Sequence, residues 1–214
     1  MSADAAPPTG VRARQVSPAR RAKYRSEREQ IMRAAYRLIQ QNGSRETSVH
    51  DVLRETGFST RAFYRHFRSK DELVIEMYRV DSDRVTDALV AAVDSAPTPL
   101  DALTAWIDQS LAIVYDARRL RHAAVLASPE VASAQGFTEV QVAGLEAQRA
   151  PLVELLRAGK AGGVFPRAQP DADAFAIQAV VLAYMRSRLV GQDALTRAEA
   201  RDHTVELFRR AFGA

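Results

Sequence analysis

Thr56 to Leu73 read TGFSTRAFYRHFRSKDEL, and these residues decide what kind of molecule the chain is. A glycine next to Phe58 and Ser59 allows a tight turn, and Ser59 is placed to cap a short helix. On that helix Ala62, Phe63 and Phe67 share one side, while Thr60, Arg61 and Tyr64 fall on the other. Ser69 with Glu72 then opens another helix through a capping box. The stretch carries four Lys or Arg residues among its aromatics. A packed core needs the rings but not the cations, whereas a surface that meets phosphates needs both.

Outward from this segment the pattern is helical throughout. Upstream, Ile31, Ala34, Ala35, Leu38 and Ile39 follow helical spacing from Glu27 to Gln41, with Asn42-Gly43 as the stop. Thr47 or Ser48 caps a short second helix, with Asp51 completing a box and Val49, Val52 and Leu53 facing inward; Gly57 ends it. Downstream, a long helix runs from Ser69 to about Val93, where SAPTP stops it. Further helices are predicted from Leu100 to Asp116 and from Arg118 to Ala127, followed by a loop to Phe137. Thr138 with Gln141 opens a helix to about Ala158 with Pro151 inside it, either kinked there or split into two pieces. Lys160 to Pro170 reads as a turn, Asp171 caps a helix to Val190, and Thr196 with Glu199 boxes a last helix ending near Phe212. The expected class is all-α, with nine helices and no strand pairing.

Charge is distributed unevenly. Residues 1–80 hold 16 Lys or Arg against 9 Asp or Glu, and residues 81–214 hold 14 against 17. A polyanion-binding module joined to a part with another task fits that asymmetry. Of the 214 residues, 47% are hydrophobic, enough for a sizeable core. There is no cysteine, which excludes disulfides, thiolate metal sites and cysteine nucleophiles and fits a reducing, cytoplasmic setting. The longest nearly apolar run, Ala174 to Met185, is interrupted by Gln178 and is shorter than the roughly 18 residues of a membrane span. The N-terminal residues 1–24 contain no secretory pattern. They read as a disordered basic arm; its Arg12, Arg14, Arg20, Arg21 and Lys23, with Arg25 next to it, either solubilise the chain or reach DNA.

Helices two and three with Gly57 between them match a helix-turn-helix, whose second helix enters the major groove. On the residues alone, Thr60 and Arg61 are placed for base edges, and Tyr64 and His66 for phosphates. Lys70 adds a cation at the free N–H groups of the next helix. Arg65 is divided between DNA contact and an ordinary solvated charge.

The combination of Thr47-Ser48-Val49, Asp51-Val52, Gly57-Phe58-Ser59, Phe63-Tyr64-x-His66-Phe67, Ser69-Lys70 and Leu73 resembles the TetR family of one-component transcriptional regulators, over about residues 26–80. His50 stands where that family often has Arg, and Leu53 and Thr56 where it often has Ala. The resemblance implies a homodimer with an N-terminal three-helix DNA-binding domain, expected at residues 25–72. A larger helical domain, expected at residues 73–214, would bind a small effector and dimerise. It also implies a DNA-contacting set of Thr47, Ser48, His50, Thr60, Arg61, Tyr64, His66 and Lys70, to which Ser59 and Arg65 are added here.

Trp106, Tyr115, His122, Phe175 and Tyr184 are candidate effector contacts, although each is also a plausible core residue or, for His122, a solvated one. Ala176, Ala179, Val180, Ala183, Val205, Phe208 and Phe212 on the last two long helices are a candidate dimer face, packing as a four-helix bundle. The expected partners are double-stranded DNA, a second copy of the chain and a hydrophobic or amphipathic small molecule, with no membrane. No metal or cofactor is expected: none of the four histidines has Glu three residues before it, and Gly-x-Ser-x-Gly and His-Glu-x-x-His are absent, which argues against an enzyme. An architectural DNA-binding dimer without an effector remains the alternative to a ligand-responsive repressor.

Overall fold

The structure is a computed structural model describing residues 18–42, 46–192 and 195–214. The described residues form ten helices and no strand: α1 (Pro18–Asn42), α2 (Val49–Thr56), α3 (Thr60–His66), α4 (Lys70–Asp94), α5 (Pro99–Tyr115), α6 (Ala117–Leu126), α7 (Pro129–Ala132), α8 (Phe137–Ala161), α9 (Pro170–Leu189) and α10 (Arg197–Phe212). Nine of these have seven residues or more, as the sequence predicts. The tenth, α7, is one turn inside the predicted loop, started by Pro129 and by the Ser128 hydroxyl, which accepts from the Val131 N–H at 3.4 Å.

Most helix starts follow the predicted local chemistry. Ser48 and Asp51 exchange both hydrogen bonds of a capping box, as do Thr196 and Glu199. The hydroxyls of Ser59 and Ser69 accept from Ala62 N–H at 3.2 Å and Glu72 N–H at 3.0 Å. Such a cap satisfies a backbone donor that has no partner within the helix, typically worth about 1 kcal/mol.

Three starts differ. Helix α1 begins at Pro18, inside the segment predicted as a disordered arm, so residues 18–24 are helical; the rest of that expected arm lies outside the described residues. Helix α8 starts after Gly136, whose φ of 86° does the turning, and the predicted Thr138–Gln141 box is not formed because Thr138 lies within the first turn. Asp171 likewise sits inside α9; the Asp173 carboxylate accepts from the Gln169 N–H at 2.6 Å instead. Pro151 is accommodated in one helix from Phe137 to Ala161.

Two hydrophobic clusters organise the chain. The first collects Ile31, Ala35 and Ile39 from α1, Val52 from α2, Phe63 and Phe67 around α3, and Leu73 and Met77 from α4. It is completed from far along the sequence by Val125, Val131, Ala134 and Phe137. The second cluster is centred on Leu103, Trp106, Ile107 and Leu111 of α5, with Leu152 and Leu156 of α8, Ile177 and Val181 of α9, and Phe208 and Phe212 of α10. Helix α4 contributes to both, through Leu73 and Met77 at one end and Leu89 at the other. With 25 residues at about 1.5 Å each it is roughly 37 Å long, long enough to join the two.

Candidate nucleic-acid interface

Helix α2 ends on Gly57, whose φ of 70° is left-handed and whose N–H returns to the Leu53 carbonyl at 2.9 Å. A residue with a Cβ would be strained there. Two residues later Ser59 caps α3, so only a short turn separates α3 from α2. Phe63, fully buried, and Phe67, 1% exposed, hold α3 down. Opposite them Thr60, Arg61, Tyr64 and Arg65 are exposed, with Tyr64 at 54%. This places hydroxyl, guanidinium and phenol donors along one ridge, as expected of a helix that enters a major groove. Ser48, His50 and Ser59 are exposed beside it.

Three members of the expected set are placed otherwise. His66 is buried: its Nε2 lies 3.0 Å from the Glu27 carboxylate and its ring packs against Tyr24 at a centroid distance of 4.2 Å. It anchors α3 to α1 and does not face a phosphate. Thr47 is also buried, its N–H donating to Glu130 at 2.9 Å and its hydroxyl accepting from Asn42 at 3.1 Å. Lys70 is paired with Glu46 and, at 3.2 Å, with Glu130. Burial works against its charge, but the two carboxylates prevail and hold its pKa above the usual ammonium value.

Glu27, a residue with no predicted role, receives both His66 and the Arg65 guanidinium. The hydrogen bond from His66, followed by that from Arg65, keeps its carboxyl below the ordinary carboxylate range against the opposing effect of burial. Tyr24 donates to the Arg65 carbonyl at 3.2 Å. These contacts are made by the stretch of α1 around residues 24–27, whose first residues were expected to be an arm.

Of the five candidate effector residues, Trp106 belongs to the second cluster and Tyr115 and Tyr184 pack against it. Trp106 is a core residue whose Nε1 donates to the Gln148 carbonyl at 3.1 Å. Tyr115 donates to the Leu195 carbonyl at 3.1 Å beneath the Arg188 guanidinium. His122 is stacked on Tyr36 of α1 at 4.1 Å and paired with Asp81 of α4. Asp81 also accepts from the Tyr36 hydroxyl, and burial, followed by this carboxylate, pushes that hydroxyl above the usual phenol range. Tyr184 meets His203 at 3.1 Å, and Phe175 is 62% exposed with Arg149 over its ring.

The expected dimer set divides. Phe208 and Phe212 pack against each other and, through Phe212, against Phe165 inside their own subunit, so they are not available to a partner. Ala179 and Ala183 are exposed, and Ala176, Val180 and Val205 half-buried. Beside them Phe175, Leu182, Val190 and Leu207 leave large apolar side chains exposed. On α9 and its C-cap, residues 175, 179, 182, 183, 186 and 190 recur at helical spacing on one side.

Comparison with known proteins agrees with this geometry. The model of the "Bacterial regulatory proteins, tetR family" matches residues 31–77, which is most of the first hydrophobic cluster together with the α2–turn–α3 unit. The HTH-type transcriptional repressor KstR2 of Mycolicibacterium smegmatis is 29% identical over 152 residues, covering 69% of this chain and 70% of that protein. Among solved structures, a TetR transcription regulator from Haloarcula marismortui superposes with a TM-score of 0.73 at 20% identity, covering 87% of this chain and 98% of that one. The transcriptional regulator FadR from Bacillus subtilis, solved in complex with stearoyl-CoA, superposes with a TM-score of 0.72 at 15% identity over 86% of this chain and 98% of its own. These relatives are named as regulators of transcription. Over residues 31–77 the chain is similar to the tetR family of regulatory proteins, and its fold is that of solved regulators of this kind.

Proposed function

We propose that this regulator is a repressor that binds a roughly palindromic operator as a homodimer and leaves it when a hydrophobic or amphipathic small molecule binds. The observation that carries the reading is the two-sided α3: Phe63 and Phe67 lock one side into the core, and Thr60, Arg61 and Tyr64 stand exposed on the other. Ser48, His50, Ser59 and Arg65 extend the DNA-facing set; Lys70 serves as a paired cation at its edge. Residues 25–72 act as the DNA-binding unit and residues 73–214 as the effector-binding and dimerising unit. In a two-fold dimer the two α3 helices would enter successive major grooves about 34–36 Å apart. No helix among the described residues is long and apolar enough to cross a membrane, and a repressor works in the compartment that holds the chromosome, here the cytoplasm.

The test begins with selection of duplexes from a random pool, which should enrich a palindrome whose half-sites are one helical turn apart. Arg61→Ala is expected to weaken binding to that duplex by about 1–3 kcal/mol and relax base preference in each half-site. Dimer mass and helicity should stay unchanged. Equal affinity and preference would remove α3 as the reading helix.

Release by an effector requires that the second cluster act on the first. Two sets of polar contacts run from residues 73–214 to residues 25–72: Glu130 on α7 holds the Thr47 N–H and Lys70, and Asp81 holds Tyr36 of α1 together with His122 of α6. A ligand that shifts α4, α6 or α7 therefore displaces the platform on which α3 rests. A 100-fold preference of the ligand for the released state would weaken operator binding by up to about 2.7 kcal/mol. Acyl thioesters are the first effectors to try, since FadR, which shares the fold, was solved with stearoyl-CoA. Thermal stabilisation with loss of operator binding supports a sensor, and no response to any lipid, acyl thioester or aromatic compound would favour an architectural role. Glu130→Gln, which keeps the side chain's size but removes its charge, should lower stability by about 1–3 kcal/mol in urea unfolding. An unchanged midpoint would mean the contact is dispensable.

A further inference from the structure

Helix α7 is a single turn, yet it touches α4, α6 and α8. Val131, fully buried in the first cluster, fixes it there, and the preceding Glu130 reaches the first turn of α4. One oxygen of its carboxylate, Oε1, accepts from both the Thr47 N–H at 2.9 Å and the Lys70 ammonium at 3.2 Å. The other, Oε2, is buried and has no hydrogen-bond partner among the described residues. A carboxylate from the effector side of the chain is thus held, incompletely satisfied, against a cation at the edge of the DNA-facing set.

The two acidic partners of Lys70 are not equivalent. The Glu46 side chain is 79% exposed and that of Glu130 is 10% exposed, so water screens the first pair far more than the second. A phosphate arriving at Lys70 displaces Glu46 at little cost, because that carboxylate returns to water. Taking the ammonium from Glu130 leaves a buried charge with the Thr47 N–H as its remaining donor, which is unfavourable. Duplex binding and the Glu130 contact therefore use the same ammonium and oppose one another.

We propose that Glu130 is a built-in competitor of the DNA backbone for Lys70, an autoinhibitory contact through which the position of α7 sets operator affinity. With Lys70 held by Glu130, the chain is in its weaker-binding arrangement. Movement of α7 away from α4 frees the ammonium for a phosphate, and movement towards α4 withholds it. Because α7 lies between α6 and α8 in the chain, a change in the packing of either is passed to Lys70 with α3 left unaltered. This inference rests on the reading that α3 meets DNA with Lys70 at the edge of the contact.

The experiment uses the full chain, the duplex that the wild-type protein selects from a random pool and a scrambled duplex beside it. Dissociation constants are measured against salt for wild type, Glu130→Gln, Lys70→Gln, the double variant and Glu46→Gln, with unfolding midpoints taken alongside. Glu130→Gln, which keeps an acceptor for the Thr47 N–H, should bind both duplexes roughly tenfold more tightly, the scale of one charge-assisted hydrogen bond. Its log–log salt slope should steepen by about 0.9, the value for one more phosphate neutralised on duplex DNA. Affinity therefore rises while the unfolding midpoint falls, whereas a merely structural tie would lower both. In the Lys70→Gln background the same substitution should leave affinity unchanged. Glu46→Gln should stay within about twofold of wild type, as a screened pair.

Equal or weaker binding by Glu130→Gln would overturn the competition while leaving the DNA-binding reading intact. So would a gain that persists in the Lys70→Gln background, since it would come from removing a negative charge near the duplex and not from releasing the ammonium. Glu130→Asp, shorter by one methylene, keeps the charge but withdraws it from Lys70; it should tighten binding in the same direction, and it decides the matter if Glu130→Gln does not fold. Failure of the wild-type protein to bind any duplex would overturn both readings.

Discussion

Replacing Phe63 by Ala is expected to abolish operator binding without any change at the DNA-facing ridge. Phe63 is fully buried and meets the rings of Tyr64 at 5.4 Å and Phe67 at 5.7 Å. Truncating it removes a large apolar contact and leaves a cavity, a combination that typically costs 3–5 kcal/mol. For a chain of this size that corresponds to roughly 10 °C in the unfolding midpoint. The loss falls on α3, which is seven residues long and would not hold its shape without tertiary packing. Tyr64→Ala, one position along but on the exposed side, should change stability by about 0.5 kcal/mol or less while still weakening DNA binding. Urea unfolding and duplex titration on the two variants separate these effects. Equal stability in both would mean that the inner and outer sides of α3 are misassigned.

Leu182→Asp is the second substitution with a large expected effect. Leu182 lies with Phe175, Ala179 and Ala183 on the exposed side of α9, the side proposed to meet a second copy. An aspartate there would be buried without a partner in the dimer but solvated in the monomer, so association pays the desolvation cost and folding does not. The variant should run as a folded monomer in light scattering. It should also lose on the order of 10²–10⁴ in operator affinity, because the second half-site no longer benefits from being tethered to the first. Phe212→Ala serves as the contrast: it opens the subunit's own core and should lower the unfolding midpoint while leaving the dimer intact. If Leu182→Asp remains a dimer with full affinity, the partner surface is elsewhere.

The positions of α9 and α10 show how a correct helical pattern leaves the packing partner open. Phe208 and Phe212 recur at helical spacing and signal an apolar side, but the pattern is the same whether that side meets its own subunit or another. Their contacts with Phe165 assign them to the subunit's own core. His66 shows the same limit. It falls between Arg65 and Phe67, and adjacent residues on a helix point about 100° apart, so a small rotation of α3 sends it inward or outward. The rotation is set by Glu27 and Tyr24 on α1, which no local pattern connects to it.

What could be read from the chain alone is what depends on neighbours three or four residues apart. The caps at Ser48, Ser59, Ser69 and Thr196 are of that kind, as are the left-handed turn at Gly57 and the division of α3 into an aromatic side and a donor side. A hydroxyl reaches only the N–H groups of its own first turn, so its partner is fixed by chain position. The residues that tie α3 to α1, the hold of Glu130 on Thr47 and Lys70, and the completion of the first core by Val125, Val131 and Phe137 were decided only by tertiary packing. Those partners are 38 to 83 residues apart in the hydrogen-bonded cases of Glu27 with Arg65 and Thr47 with Glu130. Which of many compatible side chains meet across such distances depends on how whole helices pack against one another, and no local spacing encodes that choice.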